Sequence, residues 1–199
     1  RLFGGRDENL RIINPITVDL EYLRPSLLIH LLKAVQQNLD RGLSPLSFFE
    51  IGPRYTTLPL DEYDKFIPHE YLTVAGVCMG THNAYHWSKQ ERETDVFDLK
   101  THVVDIFEKS GIPLQSLEFS LETAYLKNDK PLSRPLPAWY HPGRSAFIHM
   151  PECPVGAPFG VFGEVHPLVL KEFGIKERVY AFEIDLVWLE AGEVWVRKK

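Results

Sequence analysis

The first regular pattern of apolar residues along the chain has the spacing of one helical face. These residues recur three or four positions apart, and polar residues such as Lys33 and Gln37 lie between them. Pro25 suits a first helical turn, and Gly42 suits a C-terminal stop. The pattern predicts a helix from about Pro25 to Arg41. Its apolar residues are Leu27, Leu28, Leu31, Leu32, Val35 and Leu39.

Two further helices are predicted nearer the C-terminus. Between Asp95 and Ser110, apolar residues again follow helical spacing, with Thr94 placed to cap the start and Gly111 to end the helix. A short helix is predicted near Pro167–Phe173, because Gly174 follows it.

Six other segments have the patterns of β-strands. Leu117, Phe119 and Leu121 alternate with polar residues, which is typical of a half-buried strand. The segment Leu46–Ile51 has apolar residues on both faces, as a covered central strand would, and Gly52-Pro53 is predicted to end it. The six predicted strands are 46–51, 71–79, 117–121, 145–150, 158–165 and 179–186.

The order of these segments indicates the fold class. A Pro-rich loop is predicted from Lys127 to Pro142, and no regular helical crossover separates successive strands. We therefore expect an α+β fold, with a mainly antiparallel sheet flanked by helices. We treat 1–199 as one module. The start without Met and the terminal segment Glu193–Lys199, which has the pattern of a strand, suggest a piece of a longer chain.

Composition narrows the possible functions. A formal net charge of -5 over 199 residues argues against a generally basic surface for nucleic acid. The two cysteines, Cys78 and Cys153, are too few for a disulfide framework, so a reducing cytoplasm is expected. The apolar stretches fall short of the roughly 18 residues needed to span a bilayer, which predicts no membrane association.

Short motifs spread over most of the chain occur in a recognisable order. Together they resemble the beta subunit of bacterial phenylalanyl-tRNA synthetase. Any single motif would be weak evidence, but the shared order makes the resemblance specific. The motifs are Asn14-Pro15, Leu23-Arg24-Pro25-Ser26-Leu27-Leu28, Phe48-Phe49-Glu50-Ile51-Gly52, Phe97-Asp98-Leu99-Lys100, Tyr140-His141-Pro142-Gly143-Arg144-Ser145-Ala146, Gly163-Glu164-Val165-His166-Pro167 and Tyr180-Ala181-Phe182-Glu183-Ile184-Asp185.

The resemblance implies the sixth and seventh domains of that subunit, which have the fold of a class II synthetase core without its activity. It implies a module that pairs with the catalytic alpha subunit in a heterotetramer that charges tRNA(Phe). ATP and magnesium would serve the whole enzyme, and tRNA(Phe) would be reached through the complex. No catalytic, cofactor-binding or metal-binding residue is expected in this chain.

The residue types agree with an inactive core. A class II site stabilises phosphate charge with arginines. The strand that resembles the second class II motif carries Glu50 where a basic residue is expected, and the region resembling the third offers Glu183 and Asp185. Two carboxylates would repel a triphosphate, whereas the cationic side chains of Arg54 and Arg144 would attract one.

Two segments are predicted to contact the alpha subunit. One is the first helix, whose apolar face would serve both its own core and a partner. The other is an aromatic pair in the Pro-rich loop, which suits an interface better than base stacking because its surroundings are not basic. An orphaned interface of this kind could also support self-association. The candidate interface residues are Leu28, Leu31, Leu32, Val35, Trp139 and Tyr140.

The segment after the aromatic pair is predicted to be a turn. His141, Gly143 and Arg144 could bind phosphate through a backbone N–H and a guanidinium. The alternative, which we favour, is a structural turn in which Arg144 holds a carboxylate or carbonyl.

A metal site has less support. His82 and His86 have the spacing of helical metal ligands, but their segment has no helical periodicity, so solvated histidines are the better interpretation. Ser110 and Ser145 lack a readable His and acid partner for nucleophilic catalysis.

Two other functions remain open. The chain could be a free-standing ATP-dependent ligase whose site is not recognised. It could also be a class II-like regulatory module that binds a small metabolite.

Overall fold

The computed structural model describes residues 3, 7–17, 21–59, 66–82, 91–121, 123–127, 130–134, 136–151, 158–187 and 189. Within these residues, six strands form one antiparallel sheet and two form a separate hairpin. The strands are β1 (Leu46–Pro59), β2 (Phe66–Met79), β3 (Glu118–Ser120), β4 (Thr123–Lys127), β5 (Lys130–Arg134), β6 (Tyr140–His149), β7 (Gly160–Val165) and β8 (Val179–Asp185). The order across the sheet is β1-β2-β8-β7-β6-β3, and β4 pairs with β5. The predicted α+β class is confirmed.

Helices cover both faces of this sheet. They are α1 (Leu28–Leu39), α2 (Val96–Lys109) and α3 (Pro167–Glu172). On one face, α1 and α3 share a core with side chains such as Ala75 and Val77 of β2. On the other face, α2 packs over side chains such as Phe182 of β8 and Phe162 of β7. The alternation of side chains along each strand thus supplies two separate cores. In the part of the chain described, no helix is long and apolar enough to cross a membrane.

The helix predicted from Pro25 to Arg41 is present but shorter at both ends. It begins at Leu28, where the Leu28 N–H donates to Ser26 Oγ at 3.1 Å. Gly42 follows its end with a positive φ of 75°, a conformation that favours glycine.

The second long helix is also present, but Thr94 is not its cap. Asp95 accepts hydrogen bonds from the Phe97 and Asp98 N–H groups at 2.8 and 3.0 Å, and Asp98 accepts one from the Asp95 N–H at 2.9 Å. This reciprocal capping box fixes the start of the helix one residue later than predicted. The Asp95 carboxylate accepts from two N–H groups that have no partner within the helix. Thr94 lies before this cap, and its backbone N–H donates to Gly80 O at 2.8 Å.

Two predictions about the first strand are wrong. β1 does not end at Gly52-Pro53 but continues to Pro59, and it is an edge strand rather than a covered central strand. Pro is tolerated on an edge strand because its missing N–H need not pair there. The second apolar face of this strand is also open to solvent: Phe49 is 74% exposed and Ile51 is 57% exposed.

The Pro-rich segment from Lys127 to Pro142 is also more ordered than predicted. It contains the second strand of the hairpin β4-β5, and β6 begins at Tyr140 rather than at Ser145. A two-stranded hairpin has no central strand, so Pro131 can pair in register with Leu126 without breaking a wider ladder. The bulge in β6 between Tyr140 and Ser145 explains why the strand pattern is readable only after it.

Candidate functional site

A cavity of about 270 Å³ lies on the α1 side of the sheet. β1 contributes Arg54 and Thr57 to its wall, β8 contributes Glu183 and Asp185, and Trp139 closes one side. These side chains meet because alternate residues of neighbouring antiparallel strands point to the same face. The sheet register pairs Arg54 with Tyr71 and Thr73 with Asp185, which brings positions 54 and 185 together across β2.

Arg54 is held by Asp185. Its Nε donates to Asp185 Oδ1 at 2.8 Å, and its Nη2 donates to Oδ2. Thr73 Oγ1 donates to the same carboxylate at 2.7 Å. The Arg54 and Asp185 side chains are only 14% and 11% exposed. Burial opposes the charged guanidinium, but the bond with Asp185 outweighs it and raises the pKa of Arg54. The guanidinium is therefore neutralised by a partner of its own.

Glu183 joins the sheet to the start of α1. Its Oε1 accepts hydrogen bonds from Ser26 Oγ at 2.7 Å and from the Leu27 N–H at 3.0 Å. The side chain is 7% exposed, and this burial raises its pKa above the ordinary value. A carboxylate at a helix N-terminus satisfies N–H groups that lack a partner within the helix. Glu183 thus has a structural role that its sequence position did not indicate.

The raised pKa of Glu183 leads to a prediction about pH. Because the folded-state pKa lies above the unfolded one, the stability that this group contributes is present at low pH and is lost as the pH rises through the raised pKa. Glu183→Gln removes this loss and keeps an oxygen that can accept from Ser26 and Leu27. The advantage of the variant over the wild type should therefore grow as the pH rises above the ordinary pKa of a glutamate, in urea unfolding. The exposed control Glu108→Gln should show no such trend, and a constant difference for Glu183→Gln would contradict the assignment.

The charges around the cavity do not suit a triphosphate. Of the described residues that line it, Arg54 is the one arginine or lysine, whereas Asp7, Glu183 and Asp185 are acidic. Asp7 accepts a hydrogen bond from Thr57 Oγ1 at 2.7 Å, which lowers its pKa and favours its charged form. Three carboxylates face one guanidinium that is already paired.

Glu50 lies away from this cavity wall and has a different partner. Arg24, just before α1, donates through Nη1 to Glu50 Oε1 at 2.6 Å and through Nε to Pro53 O at 2.8 Å. A Cβ at Gly52 would come 2.6 Å from Arg24 Nη2, so the glycine makes room for the guanidinium. The prediction noted the acid at position 50 but missed Arg24, which neutralises it.

The predicted interface residues of α1 are not at the surface. Their side chains are fully or almost fully buried in the core of the module. A side chain buried within its own module cannot contact a partner without unfolding it, so this assignment needs correction. The outward face of α1 instead presents polar residues such as Lys33 and Gln37. The buried residues concerned are Leu28, Leu31, Leu32 and Val35.

The aromatic pair is also largely enclosed. Tyr140 is buried, and Trp139 is half-buried with its ring stacked on Phe3 at 5.3 Å between centroids. Both rings belong to the core under the α1 side of the sheet or pack against it. Trp139 also lines the cavity.

The predicted turn forms the start of β6. The Gly143 N–H donates to His141 Nδ1 at 3.1 Å, and Ser145 Oγ donates to His141 O at 2.6 Å. Arg144 contacts Glu164 of β7 through Nη2 at 2.9 Å and Nε at 2.6 Å. The guanidinium that could have bound phosphate is occupied by a buried carboxylate.

The other side chains that could carry chemistry also make structural contacts or are buried. His82 Nδ1 lies 3.0 Å from Asp98 Oδ1, and His86 falls outside the described residues. Within the described ranges, no three His, Cys, Asp or Glu side chains are grouped for a metal. Ser110 Oγ donates to Ile106 O at 2.8 Å. Burial raises the pKa of the Cys78 thiol to about 12, so it is not a ready nucleophile.

Comparison with known proteins relates this geometry to one family. A family model described as "Phenylalanyl tRNA synthetase beta chain CLM domain" matches residues 2–186. The phenylalanine–tRNA ligase beta subunit of Rhodospirillum rubrum is 34% identical over 184 residues, which cover 92% of this chain and 20% of the relative. The corresponding subunit of Paramagnetospirillum magneticum is 34% identical over 198 residues, covering 99% of this chain and 22% of the relative.

A solved structure is similar in fold. The pyrrolysyl-tRNA synthetase of Desulfitobacterium hafniense aligns with a TM-score of 0.53 and 13% sequence identity, over 89% of this chain and 50% of that one. At this identity the likeness concerns the fold alone, and it confirms the expected class II synthetase-like core. The chain spans about one fifth of the length of the curated relatives that it matches.

Proposed function

This chain belongs to the family of the phenylalanyl-tRNA synthetase beta chain CLM domain, and we propose from that membership that it is a non-catalytic structural module of a phenylalanine–tRNA ligase. In this proposal the whole of 1–199 is one module of a longer beta subunit. It pairs with the catalytic alpha subunit and supports it while the complex charges tRNA(Phe) in the cytoplasm. ATP and magnesium serve the whole enzyme, and this module contributes no residue to their binding.

The pairing of Arg54 with Asp185 is the observation that carries the proposal. Phosphoryl chemistry requires cations aimed at oxygens where negative charge develops. In the described part of the cavity, the one guanidinium is bound through two of its nitrogens, Nε and Nη2, by a carboxylate of its own module. A phosphate that approached the remaining N–H groups of Arg54 would meet a charge that Asp185 already balances, and a full transfer of Arg54 to the phosphate would leave Asp185 buried without its partner, which is strongly unfavourable.

Binding of ATP tests this part of the proposal. Calorimetric titration of the chain with ATP and magnesium should give a dissociation constant no tighter than about 1 mM, equivalent to roughly -4 kcal/mol. The three carboxylates at the cavity disfavour the triphosphate, and the paired Arg54 does not attract it. A micromolar dissociation constant that is lost in Arg54→Ala would favour the alternative of an ATP-dependent ligase.

A protein partner is supported by the surface that the fold leaves open. The relatives are beta subunits, a name that implies an alpha partner. On the α2 side of the sheet, β1 exposes Phe49 and Ile51, and neighbouring β2 exposes Leu72. Clustered apolar side chains of this kind commonly mark a contact with another protein.

Size-exclusion chromatography tests the pairing. The chain mixed with the catalytic alpha subunit should elute earlier than either component, in a peak that contains both. An unrelated class II catalytic domain of similar size serves as the control and should not shift. If the chain and the alpha subunit elute separately at micromolar concentrations, the paired arrangement is contradicted. A homodimer of the chain alone would indicate self-association.

A regulatory module that binds a small molecule is the second candidate function. The cavity itself favours it, because about 270 Å³ remains open in a site that has lost its phosphate-binding charge. Such a role is compatible with pairing, since the cavity and the exposed apolar side chains lie on opposite faces of the sheet.

A further inference from the structure

The outer edge of β1 carries backbone groups that its neighbour β2 does not bond. β1 pairs with β2 without a register shift from Leu46 to Pro59, so alternate residues direct their N–H and C=O groups toward β2 and away from it. The Tyr55 N–H donates to Arg24 O at 2.9 Å, which shows that the odd-numbered residues of β1 face outward. Pro53 and Pro59 have no N–H and stand at such outward positions, as this alternation requires.

Part of this edge is already bonded, and the rest is open. Arg24 covers the edge from Pro53 onward, because its Nε donates to Pro53 O at 2.8 Å. The outward residues before Pro53 are Ser47, Phe49 and Ile51, and all of them are exposed. Among the described residues, none forms a hydrogen bond with the outward N–H and C=O groups of these positions. The open edge therefore offers a short row of free donors and acceptors.

This open edge lacks the features that keep edge strands from pairing. Proteins protect such edges with charged side chains, prolines, bulges or very short strands. Between Pro45 and Pro53, β1 has no register shift, and its one charged residue, Glu50, is bound by Arg24 Nη1 at 2.6 Å. The opposite edge of the sheet is β3, which has only three residues, Glu118–Ser120. Addition of another strand is therefore favoured at β1.

The spacing of the free groups indicates which strand can add there. Ser47, Phe49 and Ile51 are symmetric about Phe49, and Pro45 and Pro53 lie at equal distances on either side. A second copy related by a two-fold axis would place Phe49 opposite Phe49 and Ser47 opposite Ile51, so that every free N–H and C=O of the row is bonded. A shift by one such pair in either direction would place Ser47 or Ile51 opposite a proline, which has no N–H to donate.

We propose that β1 of this chain pairs antiparallel with β1 of a second copy along Ser47–Ile51, which joins the two sheets in a symmetric dimer. The contact closes on itself because both copies use the same edge. Glu50 would lie opposite Phe48 of the second copy, so like charges do not meet. The strand pair is small beside a standard interface of about 1,600 Å², and we expect a dissociation constant of about 10 to 100 μM. This inference does not rest on the proposed pairing with an alpha subunit.

Sedimentation equilibrium of the 199-residue chain, from about 1 to 300 μM, measures the dimer. Phe49→Pro removes the outward N–H but no hydrogen bond to β2, and it should raise the dissociation constant about tenfold or more. Phe49→Lys places like charges opposite each other and should have a similar effect, about tenfold or more. The control Leu168→Lys replaces an exposed leucine of α3 and should dimerise as the wild type does. Thermal unfolding checks each fold, and Phe49→Lys keeps the test decisive if Phe49→Pro is unstable.

Cross-linking tests the register. In the proposed pair, the two Cα atoms at position 49 are about 5.5 Å apart, within the range of a disulfide. The two Cα atoms at position 51 are about 13 Å apart, which is too far. With oxidised glutathione, Phe49→Cys should therefore form a covalent dimer about tenfold faster than Ile51→Cys or the wild type.

Several results would overturn the inference. These are a monomeric wild type at about 300 μM, a dimer that neither folded Phe49 variant weakens, or equal cross-linking of Phe49→Cys and Ile51→Cys. A wild type that is monomeric alone, and whose Phe49 variants lose the alpha subunit, would assign the edge to that subunit instead. Such a result leaves the proposed function standing, whereas a dimer that does not bind the alpha subunit supports this inference and contradicts the proposed pairing.

Discussion

Arg54→Ala is expected to lower the free energy of unfolding by about 3 to 5 kcal/mol. The substitution leaves Asp185, whose side chain is 11% exposed, without the guanidinium that binds both of its oxygens. Thr73 Oγ1 still donates to Asp185, but a neutral hydroxyl does not balance the buried charge. Urea unfolding followed by circular dichroism measures the change.

Two further variants show whether the loss arises from the buried charge. Arg54→Met combined with Asp185→Leu removes both charges and should recover much of the stability, because a buried ion pair can often be replaced by apolar residues. Arg11→Ala breaks the surface pair with Glu21 and should leave the unfolding midpoint unchanged, because Arg11 is exposed. If Arg54→Ala behaves like Arg11→Ala, the pair is not buried in solution and the guanidinium is available to a ligand.

Leu32→Ala is expected to lower the free energy of unfolding by about 2 to 5 kcal/mol. Leu32 is fully buried on the face of α1 that packs against the sheet, so the smaller side chain leaves a cavity as well as losing apolar contact. Leu31 is almost as deeply buried and should behave similarly. The matched control is Leu168→Ala on α3, where the leucine is largely exposed and the loss should be small.

The same variants test whether the apolar side chains of α1 lie in the core and not at an interface. If the proposed pairing with an alpha subunit holds, variants of Leu31 and Leu32 that remain folded should pair as the unmodified chain does, because neither side chain reaches the surface. A variant at either position that keeps the stability of the fragment but loses the partner would contradict the burial described here. It would restore the interface predicted from the sequence.

The elements of the fold were readable because each long apolar pattern matches a period. The helices at 28–39 and 96–109, and the strands with clear alternation, lie within a few residues of their predicted positions. The edge position of β1 was not readable, since apolar residues on both faces are equally typical of a covered strand and of an exposed apolar surface. The sequence alone does not state which neighbour covers Phe49 and Ile51.

The candidate site was predicted only in part. Glu183 and Asp185 were identified as acids unsuited to phosphate, which agrees with their positions on the cavity wall. Their partners were missed, because Arg54 lies 131 residues from Asp185 and Ser26 lies 157 residues from Glu183 along the chain. Contacts at such separations follow from strand order and register, which local periodicity does not specify. For the same reason, residues that form one helical face could not be divided between core and interface.

Phenylalanine-dependent exchange of pyrophosphate into ATP tests the central claim most directly. The highly purified chain should give no exchange above background, while a complete phenylalanine–tRNA ligase, assayed in parallel as a positive control, should exchange readily. The prediction follows from the lack of a free phosphate-binding cation among the described cavity residues. Robust exchange by the wild-type chain that disappears in Arg54→Ala would contradict the account and show that this module is itself a catalyst.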